Sequence, residues 1–291
     1  MEIIDAQIHP PEYYGHIDTK QLSSEALYTL GLELNREVMD AVGIDMAIMS
    51  LDLGWVEHAI QAYPNRFVGY VASPQPGALS PDEYVAMLRA KPGVLAFGVP
   101  FSFWKTMQLF EAQASGKNEP YFAAAQKHGL PVFLGAQGNT KPIAPLAEKY
   151  PNLQFALNHL GLPSGPPMAL IAPNVWDTLP DLLALARYPN VALKWTGVTA
   201  LSKEPWPHND LWPNLLKIVK AFGPERLMWG SDYTRLRMAR GAIDREGPRH
   251  EWGGTLASNL HFLLDTNELS AADKEKMFAL SARRLLKWPK I

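Results

Sequence analysis

The sequence of 291 residues contains no cysteine, which excludes disulfides, zinc–thiolate clusters, iron–sulfur centres and cysteine nucleophiles. It also lacks an excess of either charge. Against 27 Lys and Arg stand 29 Asp and Glu, a formal charge of −2, which offers no electrostatic footprint for nucleic acid or an anionic membrane. Charge-driven recognition must then be local. Long apolar runs are missing too: the stretch from Leu153 to Trp176 carries no charge but is broken by Pro163, Pro166, Pro167 and Pro173 and holds Asn158 and His159. The opening residues, Met1 to Asp5, include two acids and lack the basic start and apolar core of a secretory signal, so the cytoplasm is the expected compartment. No Gly-x-Gly-x-x-Gly follows an apolar run, which removes the main sequence support for a dinucleotide-binding fold.

What is present is core-forming. Hydrophobic residues make up 47% of the chain, with nine tryptophans and 25 prolines. Barrels of ~250 residues commonly form one domain, so residues 1–291 are expected to form one. Eight short apolar runs read as strands: Ile3 to His9, Asp45 to Ser50, Phe67 to Ala72, Val94 to Val99, Pro131 to Gly135, Leu153 to Asn158, Val191 to Trp195 and Arg226 to Gly230. Most are apolar on both faces, as parallel strands covered by helices are. Segments of helical period alternate with them: Asn35 to Val42, Gly54 to Ala62, Pro81 to Ala90, Glu119 to Lys127, Pro142 to Lys149, Leu179 to Arg187, Asp210 to Ala221 and Gly254 to Asp265. This alternation predicts an α/β fold, a single (β/α)8 barrel, with a doubly wound open sheet as the alternative. Tyr63-Pro64-Asn65, Tyr150-Pro151-Asn152 and Tyr188-Pro189-Asn190 each stand before a strand and punctuate three βα units alike. Ser270 with Asp273 resembles a helix start, and Lys276 to Lys287 predicts an extra C-terminal helix covering one barrel end.

In a barrel, catalytic groups sit where strands end and βα loops begin. Those positions hold Gln7, His9, Asp52, Gln75, Gln137, Asn158, His159, Lys194, Ser231, Asp232 and Arg235. Strand period two puts Asp5, Gln7 and His9 on one face of an otherwise apolar run, a polar row that lines a site or faces solvent. His159 ends its strand in the same way; its plainer reading is a satisfied structural histidine. Asp232, in Trp229-Gly230-Ser231-Asp232, presents a carboxylate or caps a helix. Lys194 lies inside an apolar strand and must find a partner, bind a ligand or snorkel out of the barrel. Arg235, Arg237, Arg240, Arg245 and Arg249 concentrate positive charge after strand eight, where Arg235 suits a substrate carboxylate unless the group merely pairs with nearby acids. Tyr13, Tyr14, Trp55, Phe101, Phe103, Trp104, Trp195 and Tyr233 crowd the expected mouth, and the cluster around Trp104 suggests a wall for a ring-derived substrate.

Ile4-Asp5-Ala6-Gln7-Ile8-His9, Leu130-Pro131-Val132-Phe133-Leu134, Asn158-His159-Leu160-Gly161 and Trp229-Gly230-Ser231-Asp232-Tyr233, in that order, resemble the amidohydrolase superfamily. They are most similar to its amidohydrolase-related branch, which includes 2-pyrone-4,6-dicarboxylate lactonase and the aminocarboxymuconate semialdehyde and resorcylate decarboxylases. The resemblance implies a TIM barrel. Metal-binding members carry His-x-His on strand one, a histidine ending strand five and an aspartate ending strand eight, with a further histidine ending strand six. By that pattern His9, His159 and Asp232 are retained, whereas Gln7 replaces the first strand-one histidine and Gly135, near Gln137, takes the strand-five position. Retention of His9, His159 and Asp232 leaves three ligands plus water as one option for zinc or manganese. The two losses favour chemistry without a cofactor, in which Asp232 activates water while His9 and His159 polarise a carbonyl. Such a scheme suits lactones and other activated cyclic esters. Gln7, Lys194, Arg235, Gln137, Trp104 and Tyr233 are the expected substrate contacts, and the expected partner is a small anionic cyclic molecule from aromatic catabolism. A homodimer is the default assembly. The alternatives are a metal-dependent decarboxylase or hydrolase of the same family and a barrel without catalysis that serves as a binding subunit.

Overall fold

The computed structural model describes residues 1–9, 21–51, 53–72, 79–99, 116, 118–163, 174–233 and 255–288. The eight strands are β1 (Ile4–Ile8), β2 (Met46–Leu51), β3 (Phe67–Ala72), β4 (Val94–Gly98), β5 (Val132–Leu134), β6 (Phe155–Leu157), β7 (Val191–Thr196) and β8 (Leu227–Gly230). They pair parallel and in chain order. Between and after them run α1 (Ser24–Val42), α2 (Leu53–Ala62), α3 (Pro81–Ala90), α4 (Glu119–His128), α5 (Ile143–Lys149), α6 (Leu179–Ala184), α7 (Trp212–Phe222) and α8 (Leu256–Leu264). The expected (β/α)8 barrel is the architecture found. Among the described residues no helix is long and apolar enough to cross a membrane.

The sheet curls until β8 meets β1. A Cβ on Gly230 would stand 3.2 Å from the Gln7 nitrogen and 3.3 Å from that of Ala6, so a larger residue would push the two backbones apart by a few tenths of an ångström. Side chains complete the seam. The Ser231 amide donates to Asp5 Oδ1 at 2.8 Å, and the Asp232 amide donates to the Gln7 carbonyl at 3.1 Å. Burial separates two apolar layers. Ile4, Ala6, Met46, Ile48, Tyr70, Ala96, Phe133, Ala156, Ala192 and Met228 fill the barrel interior, alternating small and large side chains as a closed parallel barrel requires. Ile8, Met49, Trp55, Val71, Phe97, Leu134, Leu157, Leu193 and Trp229 face the helices.

One end of the interior is plugged by the C-terminal segment. The short helices α9 (Ala271–Glu275) and α10 (Ser281–Leu285) flank a π-helical turn, Lys276–Leu280. Ser270 caps the first of them by accepting from the Asp273 amide, as its sequence signature indicates. Ala279, Ala282, Leu285, Leu286 and Trp288 join the interior cluster, so this segment closes the end opposite the strand C-termini. Arg283 pairs with Glu2 and lies 5.2 Å over the Trp288 ring, tying the plug to the chain start.

Two expectations change. Helix α1 begins at Ser24 rather than Asn35, because only Gly31, Leu32, Asn35 and Met39 are buried and its first turns carry no core-facing stripe to betray them. The polar row on β1 is broken as well. The pairing of β1 with β2 shifts between Asp5 and Ile8, and Ile4 and Ala6 lie in the interior while Ile8 lies in the outer layer. Simple alternation therefore fails between Asp5 and His9. Asp5 serves the seam with β8, whereas Gln7 and His9 serve the site.

The three Tyr-Pro-Asn phrases share a contact as well as a place. Tyr63 donates to Glu33 of α1, Tyr150 to Glu119 of α4 and Tyr188 to Glu148 of α5, each reaching the helix one unit earlier.

Candidate active site

The ends of β1, β6 and β8 bring His9, His159 and Asp232 together. Nε2 of His9 lies 2.7 Å from Asp232 Oδ1, and Nε2 of His159 lies 3.6 Å from Asp232 Oδ2. All three side chains are buried, with Asp232 3% exposed and His9 1%. The turns that present them are strained. His159, Leu160 and Asp232 adopt positive φ of 53°, 57° and 51°, a region that non-glycine residues seldom occupy unless their surroundings impose it. At Asp232 the imposing groups are the seam bonds to Gln7 and Asp5, together with the Asn259 amide, which donates to the Ser231 carbonyl at 3.4 Å.

Neighbours fix the histidine tautomers. Nδ1 of His159 lies 3.2 Å from the Thr196 carbonyl, which can only accept, so Nδ1 carries a proton and Nε2 is left for Asp232. The Ser50 hydroxyl donates to the Ile8 carbonyl at 2.9 Å, and its oxygen faces His9 Nδ1 at 2.9 Å. His9 therefore also holds a proton on Nδ1; its Nε2 accepts from Gln7 when the ring is neutral and donates to the Asp232 carboxylate when the ring carries its second proton.

Beneath this trio lies a buried ammonium. Lys194 is fully enclosed; its Nζ sits 4.9 Å from the Tyr70 ring centre and 4.6 Å from that of Phe133, and it donates to Gln7 Oε1. An ammonium only donates, so Gln7 must turn its oxygen to Lys194 and its amide nitrogen to His9, 3.2 Å from Nε2. Lys194 is thus held by an amide dipole and two aromatic faces, which is how a cation is retained inside an apolar strand.

Asp5 is a further buried ionisable group beside the site. It accepts from the Gln7 amide at 3.0 Å, from the Ser231 amide at 2.8 Å and from the Ser231 hydroxyl. Burial outweighs those bonds and raises its pKa to about 6.

The structure gathers Gln7, His9, His159, Lys194 and Asp232. Gln137 is 3% exposed in the turn after β5, and its Oε1 has no hydrogen-bond partner among the described residues. Tyr233 is not brought to the trio: it lies in the outer apolar layer and its hydroxyl donates to Asn35 of α1. Arg235 and Trp104 lie outside the described residues, as do Tyr13, Tyr14, Asp52, Gln75, Phe101, Phe103, Arg237, Arg240, Arg245 and Arg249. Sequence reasoning missed Ser50, which anchors His9, and Thr196, which anchors His159 through its carbonyl. Thr196 could have been found, since it follows Lys194 by one strand period.

A sequence model described as amidohydrolase matches residues 4–288. An L-fucono-1,5-lactonase of Burkholderia ambifaria is 34% identical over 125 residues, 42% of this chain and 40% of the lactonase, so the match spans well under half of that protein. Among solved structures, a Burkholderia multivorans amidohydrolase with bound zinc aligns over 99% of this chain and 100% of its own at TM-score 0.69 and 17% identity. A Pseudomonas putida protein assigned as a 2-pyrone-4,6-dicarboxylic acid hydrolase aligns over 100% of this chain and 99% of its own at TM-score 0.66 and 19% identity. At these identities the structural likeness shows the fold alone.

The zinc in that relative keeps a divalent ion an option for the fold, and His9, His159 and Asp232 are the residues that could meet one. They fit it poorly. Gln7 presents an N–H rather than a lone pair, its oxygen is engaged by Lys194, and a fixed positive charge stands behind it. Among the described residues, no group of three or more His, Asp or Glu forms a metal cluster.

Proposed function

The chain belongs to the amidohydrolase family and is an enzyme of it, and from that premise we propose a lactonase-type hydrolase that opens an activated cyclic ester with Asp232 as general base. Water placed against Asp232 Oδ2 attacks the ring carbonyl and gives its proton to the carboxylate. The Nε2–H groups of His9 and His159 as imidazolium ions, together with the Gln7 N–H that a protonated His9 no longer accepts, stabilise the oxyanion. As the tetrahedral intermediate collapses, the ring C–O bond breaks and the proton passes from Asp232 to the leaving oxygen, so that lactone plus water gives a hydroxy acid. An unassisted water has a pKa near ~15.7, which confines the scheme to reactive acyl groups. The proposed partner is a small cyclic molecule; nucleic acid and membrane have no part in the reading.

The observation that carries this reading is the single carboxylate of Asp232 placed between two histidine Nε2 atoms at 2.7 and 3.6 Å. The poor fit of Gln7 and Lys194 to a divalent ion supports chemistry without one. Asp232→Asn is expected to fold normally and to lose at least about a hundredfold in kcat on a cyclic ester, the share a general base supplies. Wild-type turnover by that variant refutes the assignment. Release of carbon dioxide in place of a hydroxy acid indicates a decarboxylase, and stoichiometric zinc or manganese in protein purified without chelator overturns the metal-free scheme.

A further inference from the structure

The centre of the barrel carries a charge. Gln7, Tyr70, Phe133 and Lys194 come from β1, β3, β5 and β7, the alternate strands that supply one layer of four side chains in a closed parallel barrel. Such layers are ordinarily bulky and apolar. Here the Tyr70 and Phe133 ring centres stand 4.7 Å apart, and Lys194 Nζ lies 4.9 and 4.6 Å from them while donating to Gln7 Oε1. An ammonium within reach of side chains from the other three strands sits near the barrel axis. Gln7 and Lys194 are 1% and 0% exposed, so solvent screens this charge little.

The layer is the floor of the site. Gln7 spans from Lys194 to His9, whose Nε2 lies 3.2 Å from its amide nitrogen and 2.7 Å from Asp232 Oδ1. The cation is therefore one carboxamide away from the histidine that a metal ion would need. A fixed charge in this place acts with opposite sign on a cation and on an anion above it. Asp232 is the one acid of the trio and Asp5 is turned to the seam, so Lys194 already balances the carboxylate, and a divalent ion would add two buried charges that nothing matches. An oxyanion forming at the Gln7 N–H is favoured instead, because the ammonium polarises that amide from its other end.

We propose that Lys194 stands in for a divalent ion in this site, keeping one out and lending its own charge to the reaction through Gln7. The inference rests on the lactonase reading and names the group that supplies the electrophilic charge of hydrolysis without a metal. Lys194 is a positioning residue, since it acts on the reacting atoms only through Gln7.

The test titrates zinc chloride by calorimetry into wild type, Gln7→His, Lys194→Met and the double variant Gln7→His/Lys194→Met, with thermal melting to confirm folding. Gln7→His adds an imidazole to His9, His159 and Asp232, a donor set that suits zinc, so the charge of Lys194 is what separates the single variant from the double. The double variant is expected to bind one equivalent at least about a hundredfold more tightly than Gln7→His, and wild type to take up no stoichiometric zinc. Equal affinity in Gln7→His and the double variant, or stoichiometric zinc in wild type, overturns the proposal. Should the double variant not fold, Lys194→Met carries the test with manganese chloride. Gln7 is then free to turn its oxygen to the site, and manganese affinity should rise at least about tenfold over wild type; unchanged affinity overturns the proposal. On a cyclic ester Lys194→Met should lose at least about tenfold in kcat with KM little changed, and a loss confined to KM overturns the part played by the charge in the reaction. If no lactone is hydrolysed but zinc separates the variants as expected, the lactonase reading fails and the exclusion of metal by Lys194 stands. If lactones are hydrolysed but Gln7→His binds zinc as tightly as the double variant, the inference fails alone.

Discussion

Asp5→Asn should make this protein more stable at neutral pH. Asp5 is fully buried and its pKa is raised to about 6 from 3.8 because burial penalises the carboxylate more than its hydrogen bonds reward it. The folded state therefore binds this proton more tightly than the unfolded state between those values, and stability falls as pH rises through them. At ~1.36 kcal/mol per pH unit the loss reaches about 3 kcal/mol above pH 7, and it is absent below pH 4. Asparagine is neutral throughout. Its Oδ1 can still accept from the Gln7 and Ser231 amides, and its Nδ2 can donate to the Ser231 hydroxyl oxygen where Asp5 now accepts from it. With an unfolding entropy of ~2.1 cal/mol/K per residue, a gain of that size raises Tm by roughly 5 °C for a chain of 291 residues. Urea unfolding of wild type and variant from pH 4 to 8 isolates the effect, since other titrating groups cancel in the difference. The curves should coincide near pH 4 and separate through pH 6. Parallel curves, or a variant less stable than wild type at pH 8, would refute the reasoning.

Other perturbations address the seam and the floor of the site. Gly230→Ala pushes a methyl against the Gln7 and Ala6 nitrogens, which are backbone and cannot turn aside; a loss of about 1–3 kcal/mol in chemical denaturation is expected, with a fall in kcat as Asp232 shifts. Ser50→Ala removes the acceptor of His9 Nδ1, and kcat should drop about tenfold at unchanged Tm, with Ser50→Thr restoring it; unimpaired turnover in the alanine variant counts against the tautomer assignment. Lys194→Met keeps the buried stem between Tyr70 and Phe133 but frees the Gln7 amide, so melting should be little changed while kcat/KM falls at least about tenfold, and equal loss of both would make Lys194 structural.

The architecture was legible because burial on both faces of eight short runs is a signal of period and length, which survives in a single chain. Helix α1 was half hidden because its first turns are exposed and bury almost nothing. Tyr63, Tyr150 and Tyr188 read as mere punctuation, yet each bonds a glutamate on the helix one unit earlier, a contact that sequence order does not reveal. Tyr233 was grouped with the site because it adjoins Asp232, whereas its hydroxyl bonds Asn35. At an aspartate with φ of 51° the chain reverses, and neighbours in sequence part company, one toward the trio and the other toward α1.

The site divides along the same line. His9, His159 and Asp232 were visible because each ends an apolar strand, where a polar side chain has no business unless it lines the mouth. What alternation could not supply was the break in β1. A regular strand from Asp5 to His9 would aim all three polar residues into the barrel and crowd a second carboxylate toward Asp232. The shift between Asp5 and Ile8 diverts Asp5 to the seam, where it holds the Ser231 amide, and leaves Gln7 to link Lys194 with His9. Gln7 in place of histidine is therefore more than a lost ligand. Histidine has no carbonyl oxygen for the ammonium, so Lys194 and Gln7 form one unit, and restoring Gln7→His alone would strand a buried charge rather than rebuild a metal site.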